Sequence, residues 1–318
     1  MAKGSAYYGY PVPVGIEAGI ASPSSLRKRV ITAFCFFPTS NRLCYEMNTT
    51  FLSLPAFSPP LASRACKQHS FSPRPSPSSV MSSTLTELNH DSDFQSLLSP
   101  DGYISICGFG SLLSERSARS TFPDLVNFRT ASLNHFRRVF AHVAPVFFER
   151  GIAKPETMEI SSLSVEPFEG ETLVVTVFEI RRSEIPAFIK REIEFRFLAV
   201  LPETLDGKSF DYPAVLCTRY SDEEFLNIRC KGSKEMFFQQ YGRWNIDKIW
   251  RDDVLPCRVY LRHCVLAAKN LGDTAYDNFL DHTFLADRRT TIREYLATTG
   301  SGIMEEEPPE SLKSRYGG

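Results

Sequence analysis

The sequence predicts an α+β fold with a substantially antiparallel sheet or barrel. Strand-like apolar runs crowd the stretch from Tyr103 to Ile180, and helical patterns dominate afterwards. Strands first and helices later is the order of an α+β domain, not of a regular βαβ array. With 318 residues there is room for one large domain or two small ones, at ~150 residues per domain. The 42% hydrophobic and 23% charged residues exclude the compositions of collagen-like and wholly disordered chains. No charge-free apolar run, Val30 to Phe37 included, nears the ~18 residues of a membrane span, so no span is expected.

The first element is an address. Residues 1–96 read as a disordered leader and 97–318 as the folded domain. Residues 1–86 hold eight Lys/Arg against two Asp/Glu, a balance of +6, while residues 87–318 hold 28 against 35, a balance of −7. Met47 to Thr86 contains ten Ser, four Thr and six Pro, with no Asp or Glu. So many prolines interrupt any helix, and so much Ser and Thr cannot bury enough apolar surface to offset ordering entropy. A basic, Ser-rich, acid-poor leader fits a transit peptide, and the Ser and Pro content points to the chloroplast stroma. The competing reading is a disordered tail on a cytoplasmic protein. Met47 makes a better leader start than Met1, so translation from Met47 is one expectation. A secretory signal fits less well, since Val30 to Phe37 is short and internal.

The folded part alternates apolar runs with turn signals. Tyr103 to Cys107 reads as a strand entering the glycine turn Gly108-Phe109-Gly110. Phe128 to Leu133 and Phe136 to Val143 are further strands, with Asn134 as a turn or bulge between them. Met158 to Val165 and Thr172 to Ile180 are expected to pair as a hairpin through Glu166 to Gly170. Ser183 is placed to cap a short helix carrying Ile185, Phe188 and Ile189. Phe195 to Leu201 and Ala214 to Thr218 look strand-like. Ser221 and Glu224 have capping-box spacing. Pro256 to Leu271 is the clearest helix, with Gly272 placed to end it. Tyr276 to Leu285 and Thr290 to Leu296 complete a helical pair.

Metal and redox chemistry find little support. Cys107, Cys217, Cys230, Cys257 and Cys264 form no CxxC pair, and an odd count without framework spacing suits free thiols in a reducing compartment. The six histidines show neither HxxxH nor HExxH spacing, so no metal and no cofactor is expected. His135, His142, His263 and His282 read as structural or surface residues. Trp244, Trp250 and Tyr241 read as packing, since an acidic folded part is a poor match for nucleic acid.

Two segments carry the chemistry. A strand ending in Phe109-Gly110-Ser111-Leu112 turns successive backbone N–H groups into one concavity, where they can hold a carboxylate or an oxyanion. A dinucleotide loop would need a small residue at Leu113, and a plain bend at Gly110 is the simpler competitor. The second segment, Phe188 to Phe195, sets Glu192 and Glu194 at a helix-to-strand seam. In an extended seam both carboxylates point the same way, and partial burial among Phe188, Ile193 and Phe195 suits a general base. The competing reading is an exposed Arg191–Glu192 pair. Cys107 beside the glycine turn is a weak nucleophile candidate, with no His or Asn near it in sequence.

In order along residues 102–297 these motifs resemble the gamma-glutamylcyclotransferase-like family. They come nearest to its cation-transport-regulator-like, glutathione-degrading branch, in a plant-type form with a leader. The family's Tyr-Gly-Ser-Leu is matched by Phe109-Gly110-Ser111-Leu112, its paired-arginine block by Leu133 to Phe140, and its Arg-Glu-x-x-Tyr by Arg191 to Phe195. The resemblance implies a small mixed-strand β-barrel with flanking helices. It also implies cofactor-free cyclisation of a γ-glutamyl amine or peptide to 5-oxoproline, with Glu192 as the base and Phe109, Gly110, Ser111, Leu112 and Phe195 around the substrate. Phe109 and Phe195 stand where the family has tyrosines, so two hydroxyls are lost and the substrate or the activity is expected to differ. The alternative is a non-catalytic member of the fold that binds a small carboxylate or a protein. Glu203 to Arg251 is long, aromatic and charged, and reads as a lid or an insertion.

Overall fold

In the computed structural model, which describes residues 85–318, eight strands form one mixed sheet: β1 (Thr86–Glu87), β2 (Tyr103–Gly108), β3 (Val126–Val143), β4 (Glu159–Arg181), β5 (Arg196–Val200), β6 (Ala214–Thr218), β7 (Leu255–Pro256) and β8 (Thr283–Phe284). The leader up to residue 84, with the transit-peptide reading and the start at Met47, lies outside the described residues. The structured part begins earlier than residue 97. Strand β1 pairs with β5, helix α1 (Asp91–Gln95) follows, and Leu88 and Phe94 are buried. These two apolar residues dock the segment, and Phe94 meets Phe197 edge to face.

The strand order is β1-β5-β6-β2-β4-β3-β8, with β7 beside β4. The α+β class is as expected, but the sheet is an open path rather than a closed barrel. Its two end strands, β1 beside β5 and β8 beside β3, are only two residues long. The expected hairpin within residues 158–180 does not form. Both halves belong to β4 and pair antiparallel with the long β3, from Val143↔Ser161 to Val126↔Glu179. An 18-residue partner offers each half a full ladder, and residues 168–171 become an irregularity opposite a bulge where His135 takes φ 66°. The bulge expected at Asn134 is therefore one residue later.

Nine further helices follow α1: α2 (Glu115–Arg119), α3 (Pro145–Glu149), α4 (Ile185–Arg191), α5 (Asp222–Ile228), α6 (Lys234–Tyr241), α7 (Arg258–Asn270), α8 (Asp273–Asp281), α9 (Ile292–Ala297) and α10 (Lys313–Tyr316). Ser183 lies inside a short 3-10 turn, and Glu184 precedes α4 instead. The Ser221–Glu224 capping box forms, with Ser221 Oγ accepting from the Glu224 amide. Helix α7 buries Leu261, Cys264, Val265 and Ala268. Its Arg258 and Arg262 face carboxylates of the segment after α9 instead. Gly272, at φ 107°, turns the chain out of α7 in a conformation that only glycine adopts readily. The stretch between β6 and β7 carries α5 and α6, and its Trp250 bridges to and packs on His142 of β3.

His263 on α7 is almost wholly buried. Burial pushes its pKa down from 6.5 to about 4, with the Ser111 backbone pulling the other way and Arg315 adding repulsion. The unfolded chain therefore takes up a proton before the folded one does. The associated stability is complete above pH 6.5 and is lost as pH falls from 6.5 toward 4. That interval corresponds to roughly 3 kcal/mol. Urea unfolding at pH 7.5, 5.5 and 4.5 should show this loss in the native protein and a flatter profile in His263→Gln. Parallel profiles would contradict it.

Candidate functional site

One cavity of about 410 Å³ is lined by the glycine loop, the α4–β5 seam, the ends of β3 and α3, and residues of α7 and α10. Every residue singled out from the sequence, Glu192 with Phe109, Gly110, Ser111, Leu112 and Phe195, lines it.

The glycine loop is held from below. Arg138 on β3 is completely buried, and its guanidinium donates to the Phe109 carbonyl at 2.9 Å, to Asn278 Oδ1 at 3.2 Å and to the Val174 carbonyl. Thr176 Oγ1 donates to the Leu112 carbonyl at 2.9 Å. The loop is thus fixed at both ends by side chains of the central strand pair. After Gly110 the chain enters a 3-10 turn, Ser111–Leu113.

A phenol from another element approaches the loop. Tyr260 on α7 brings its Oη to 3.4 Å from the Ser111 amide, longer than the 2.7–3.2 Å range of ordinary N–H···O bonds. That amide is weakly held by the protein. A Cβ at Gly110 would lie 2.6 Å from Tyr260 Oη, so only glycine lets the loop approach this phenol. The ring packs on Phe147 and Phe140, so the phenol must shift to admit a Cβ. Gly110→Ala is expected to cost about 1–3 kcal/mol by overpacking, at roughly 2–4 °C of midpoint per kcal/mol. Gly110→Ala/Tyr260→Phe should recover most of the loss in a thermal melt. Equal losses in both would show that the phenol is not the obstacle.

Helix α4 ends at Arg191, and Glu192 starts a turn closed by the Phe195 amide on the Glu192 carbonyl at 2.9 Å. The seam is a turn and not an extended segment, yet Glu192 and Glu194 both reach the cavity. Ile193 between them lines the cavity but is 48% exposed, so it gives less apolar cover than expected of it. Glu192 Oε1 lies 2.7 Å from Arg191 Nε. The pair read from the sequence as exposed is thus real, but it lines the cavity and each side chain is mostly covered. Burial raises the Tyr260 hydroxyl and Cys217 thiol pKa values well above their ordinary range, and the nearby Glu192 carboxylate adds to both. Glu192 thus lines the same cavity as the glycine loop, held by Arg191.

Glu194 faces His142. Its Oε2 is 2.9 Å from His142 Nε2, off the line of the ring N–H, so the contact is an electrostatic approach without an aligned hydrogen bond. His142 Nδ1 meets Ser162 Oγ at 2.6 Å. The ring lies between Phe195 and Trp250, with centroids 4.7 and 4.8 Å away. Burial raises the Tyr241 hydroxyl pKa, and Glu194 beside it adds to the effect. His142, Ser162 and Tyr260 are site residues the sequence reading missed. Of the other histidines assigned structural or surface roles, His263 is buried and His282 is a partly exposed partner of Glu171. Cys107 also lines the cavity, but burial pushes its thiol up to about 12 despite Arg138 nearby. A thiol kept protonated is no nucleophile.

No protein-family model matches the chain, and no curated protein matches it significantly. Among solved structures it is similar to a gamma-glutamyl cyclotransferase at 16% identity and TM-score 0.31, covering 48% of this chain and 89% of that one. It is similar to an uncharacterised human protein at 17% identity and TM-score 0.30, covering 49% and 89%. A protein of Arabidopsis thaliana follows at 12% identity and TM-score 0.29, covering 46% and 95%. At these values the likeness decides neither activity nor substrate.

Proposed function

We propose that the protein is a gamma-glutamylcyclotransferase-like enzyme that releases 5-oxoproline from a γ-glutamyl amine or peptide, with Glu192 as general base. The observation that carries this reading is the convergence of the Phe109–Leu112 loop and Glu192 on one cavity. In the proposed reaction Glu192 takes a proton from the substrate's α-amino group, and that nitrogen attacks the γ-carbonyl carbon. As the new C–N bond closes the five-membered ring, the bond to the original amine breaks and Glu192 returns the proton to the leaving nitrogen. Both reacting groups belong to one molecule, so holding the γ-glutamyl chain curled supplies most of the proximity effect. The Ser111 amide and the Tyr260 hydroxyl are the donors nearest the loop for a carboxylate or the developing oxyanion.

The reading is tested by incubating the purified full chain with glutathione, γ-glutamyl amino acids and γ-glutamyl amines and measuring 5-oxoproline. Release from at least one compound is expected. Silence from folded protein across the panel would favour a binding module of the same fold. The Ser- and Pro-rich stretch Met47 to Thr86 supports plastid import as part of the proposal. A fluorescent fusion of the full chain that stays in the cytoplasm would refute it.

A further inference from the structure

Strand β4 carries three serines within four positions, Ser161, Ser162 and Ser164, and all three are buried. Two of them spend their hydroxyls on the backbone. Ser161 Oγ donates to the Leu255 carbonyl at 2.8 Å, and Ser164 Oγ donates to the Val139 carbonyl at 2.9 Å. Ser162 instead places its Oγ 2.6 Å from Nδ1 of His142, its cross-strand partner on β3. Glu194 Oε2 lies 2.9 Å from the other ring nitrogen, Nε2. Ser162, His142 and Glu194 all line the cavity, so a hydroxyl, an imidazole and a carboxylate stand in series there. An ionised carboxylate only accepts, so the proton of the neutral ring belongs on Nε2 and the lone pair on Nδ1, where the Ser162 hydroxyl donates. The ring is buried between Phe195 and Trp250, and the His142 backbone bridges to Trp250. Serine proteases use the two nitrogens in the opposite order, but either nitrogen is basic when the other carries the proton. The Nε2–H points off the line to Glu194, a misalignment that catalytic hydrogen bonds commonly lose when substrate binds.

We propose that Ser162 is a nucleophile activated by His142 and that the cavity hydrolyses small carboxylic esters, an activity that does not depend on the cyclotransferase reading. As Ser162 Oγ bonds to the ester carbonyl carbon, its proton passes to His142 Nδ1. The C–O bond to the alcohol then breaks, and His142 gives that proton to the departing oxygen, leaving an acyl-serine. Water attacks the acyl carbon and loses a proton to His142, and the bond to Ser162 breaks as its oxygen takes the proton back. The Glu194 carboxylate stabilises the imidazolium formed in both halves. Ser111, whose amide is weakly held, lines the same cavity and is the donor assigned to the oxyanion. An ester suits this arrangement better than an amide, because an alcohol leaves with less help from a proton donor than an amine does. At about 410 Å³ the cavity is at the small end of ligand pockets, which points to short acyl chains.

The experiment has a labelling arm and a turnover arm, both on the full chain. In the first, the native protein is treated with diisopropyl fluorophosphate, whose phosphorus an activated serine hydroxyl attacks with loss of fluoride, and the adduct is mapped by peptide mass spectrometry. A single adduct on Ser162 is expected in the native protein and none in urea-unfolded protein. No adduct, or one confined to Ser111, Tyr260 or another side chain, would overturn the proposal. This arm needs no variant, so it does not rely on any variant folding.

The turnover arm follows p-nitrophenol release from p-nitrophenyl acetate, at a temperature where melts show every variant folded. Native protein should show saturable hydrolysis that prior treatment with the fluorophosphate abolishes. Ser162→Ala and His142→Gln should each lower kcat by about 10²-fold or more. Glu194→Gln should lower kcat by about tenfold or more with KM unchanged, a split that a merely structural role would not give. Hydrolysis by Ser162→Ala at the native rate would overturn the proposal, since surface nucleophiles that cleave this ester slowly remain in that variant.

Discussion

Arg138→Met should lower folding stability by about 3–5 kcal/mol, because buried acceptors on three elements lose a charge-assisted donor at ~1–3 kcal/mol each. At roughly 2–4 °C per kcal/mol for a domain of this size, the midpoint should fall by on the order of 10 °C. Arg138 is fully buried, and burial holds its pKa down at about 10, which leaves it charged at neutral pH. Its guanidinium spans three acceptors on three elements: the Phe109 carbonyl after β2, the Val174 carbonyl on β4 and Asn278 Oδ1 on α8. Methionine fills similar volume but leaves these oxygens without their donor, at ~1–3 kcal/mol for each buried group left unsatisfied. Arg138→Lys should not rescue the loss, since one ammonium on a flexible stem cannot reproduce a planar fork aimed in three directions. Urea unfolding of both variants checks this, with unchanged slope required for a clean comparison. A loss under 1 kcal/mol would mean that Arg138 does not hold the loop.

Legibility followed the range of the interactions. Features set by neighbours in sequence were read closely: β6 falls on Ala214 to Thr218, the Ser221–Glu224 box forms, and α7 ends before Gly272. The hairpin within residues 158–180 was misread because Glu166 to Gly170 is a good local turn, while the partner that outbids it, β3, is distant. The early start at Thr86 was hidden by the low-complexity leader before it, although Leu88 and Phe94 are the apolar anchors that hold it. In the site, Glu192 and the glycine loop carried local signals. His142 did not, because a histidine within a strand looks structural until Ser162 and Glu194 are brought against it. Tyr260 reaches Ser111 across a separation of 149 residues, so no spacing rule exposes it.

Glu192→Gln should reduce kcat for 5-oxoproline release by about 10²–10⁴-fold, the usual contribution of a general base, with a much smaller change in KM. The amide keeps the size and hydrogen-bonding shape of the carboxylate but cannot take the α-ammonium proton. The two acids of the seam are separated by their surroundings. Glu192 stands near Tyr260 and Cys217, and Tyr260 touches the glycine loop. Glu194 faces His142, itself tied to Ser162, and the Tyr241 hydroxyl. In the proposed reaction a substrate whose carboxylate or oxyanion rests on the Ser111 amide presents its α-amine to Glu192, the carboxylate not engaged with His142. Glu194→Gln should act through the position of His142 and cost less than tenfold, mostly in KM. Steady-state kinetics of both variants on one γ-glutamyl substrate checks the assignment. The reverse pattern, with kcat lost in Glu194→Gln and retained in Glu192→Gln, would move the base to Glu194 and make His142 the group that holds it. A comparable collapse in both would mean that the carboxylates act as a pair, as two acids on one turn can when a single proton passes between them.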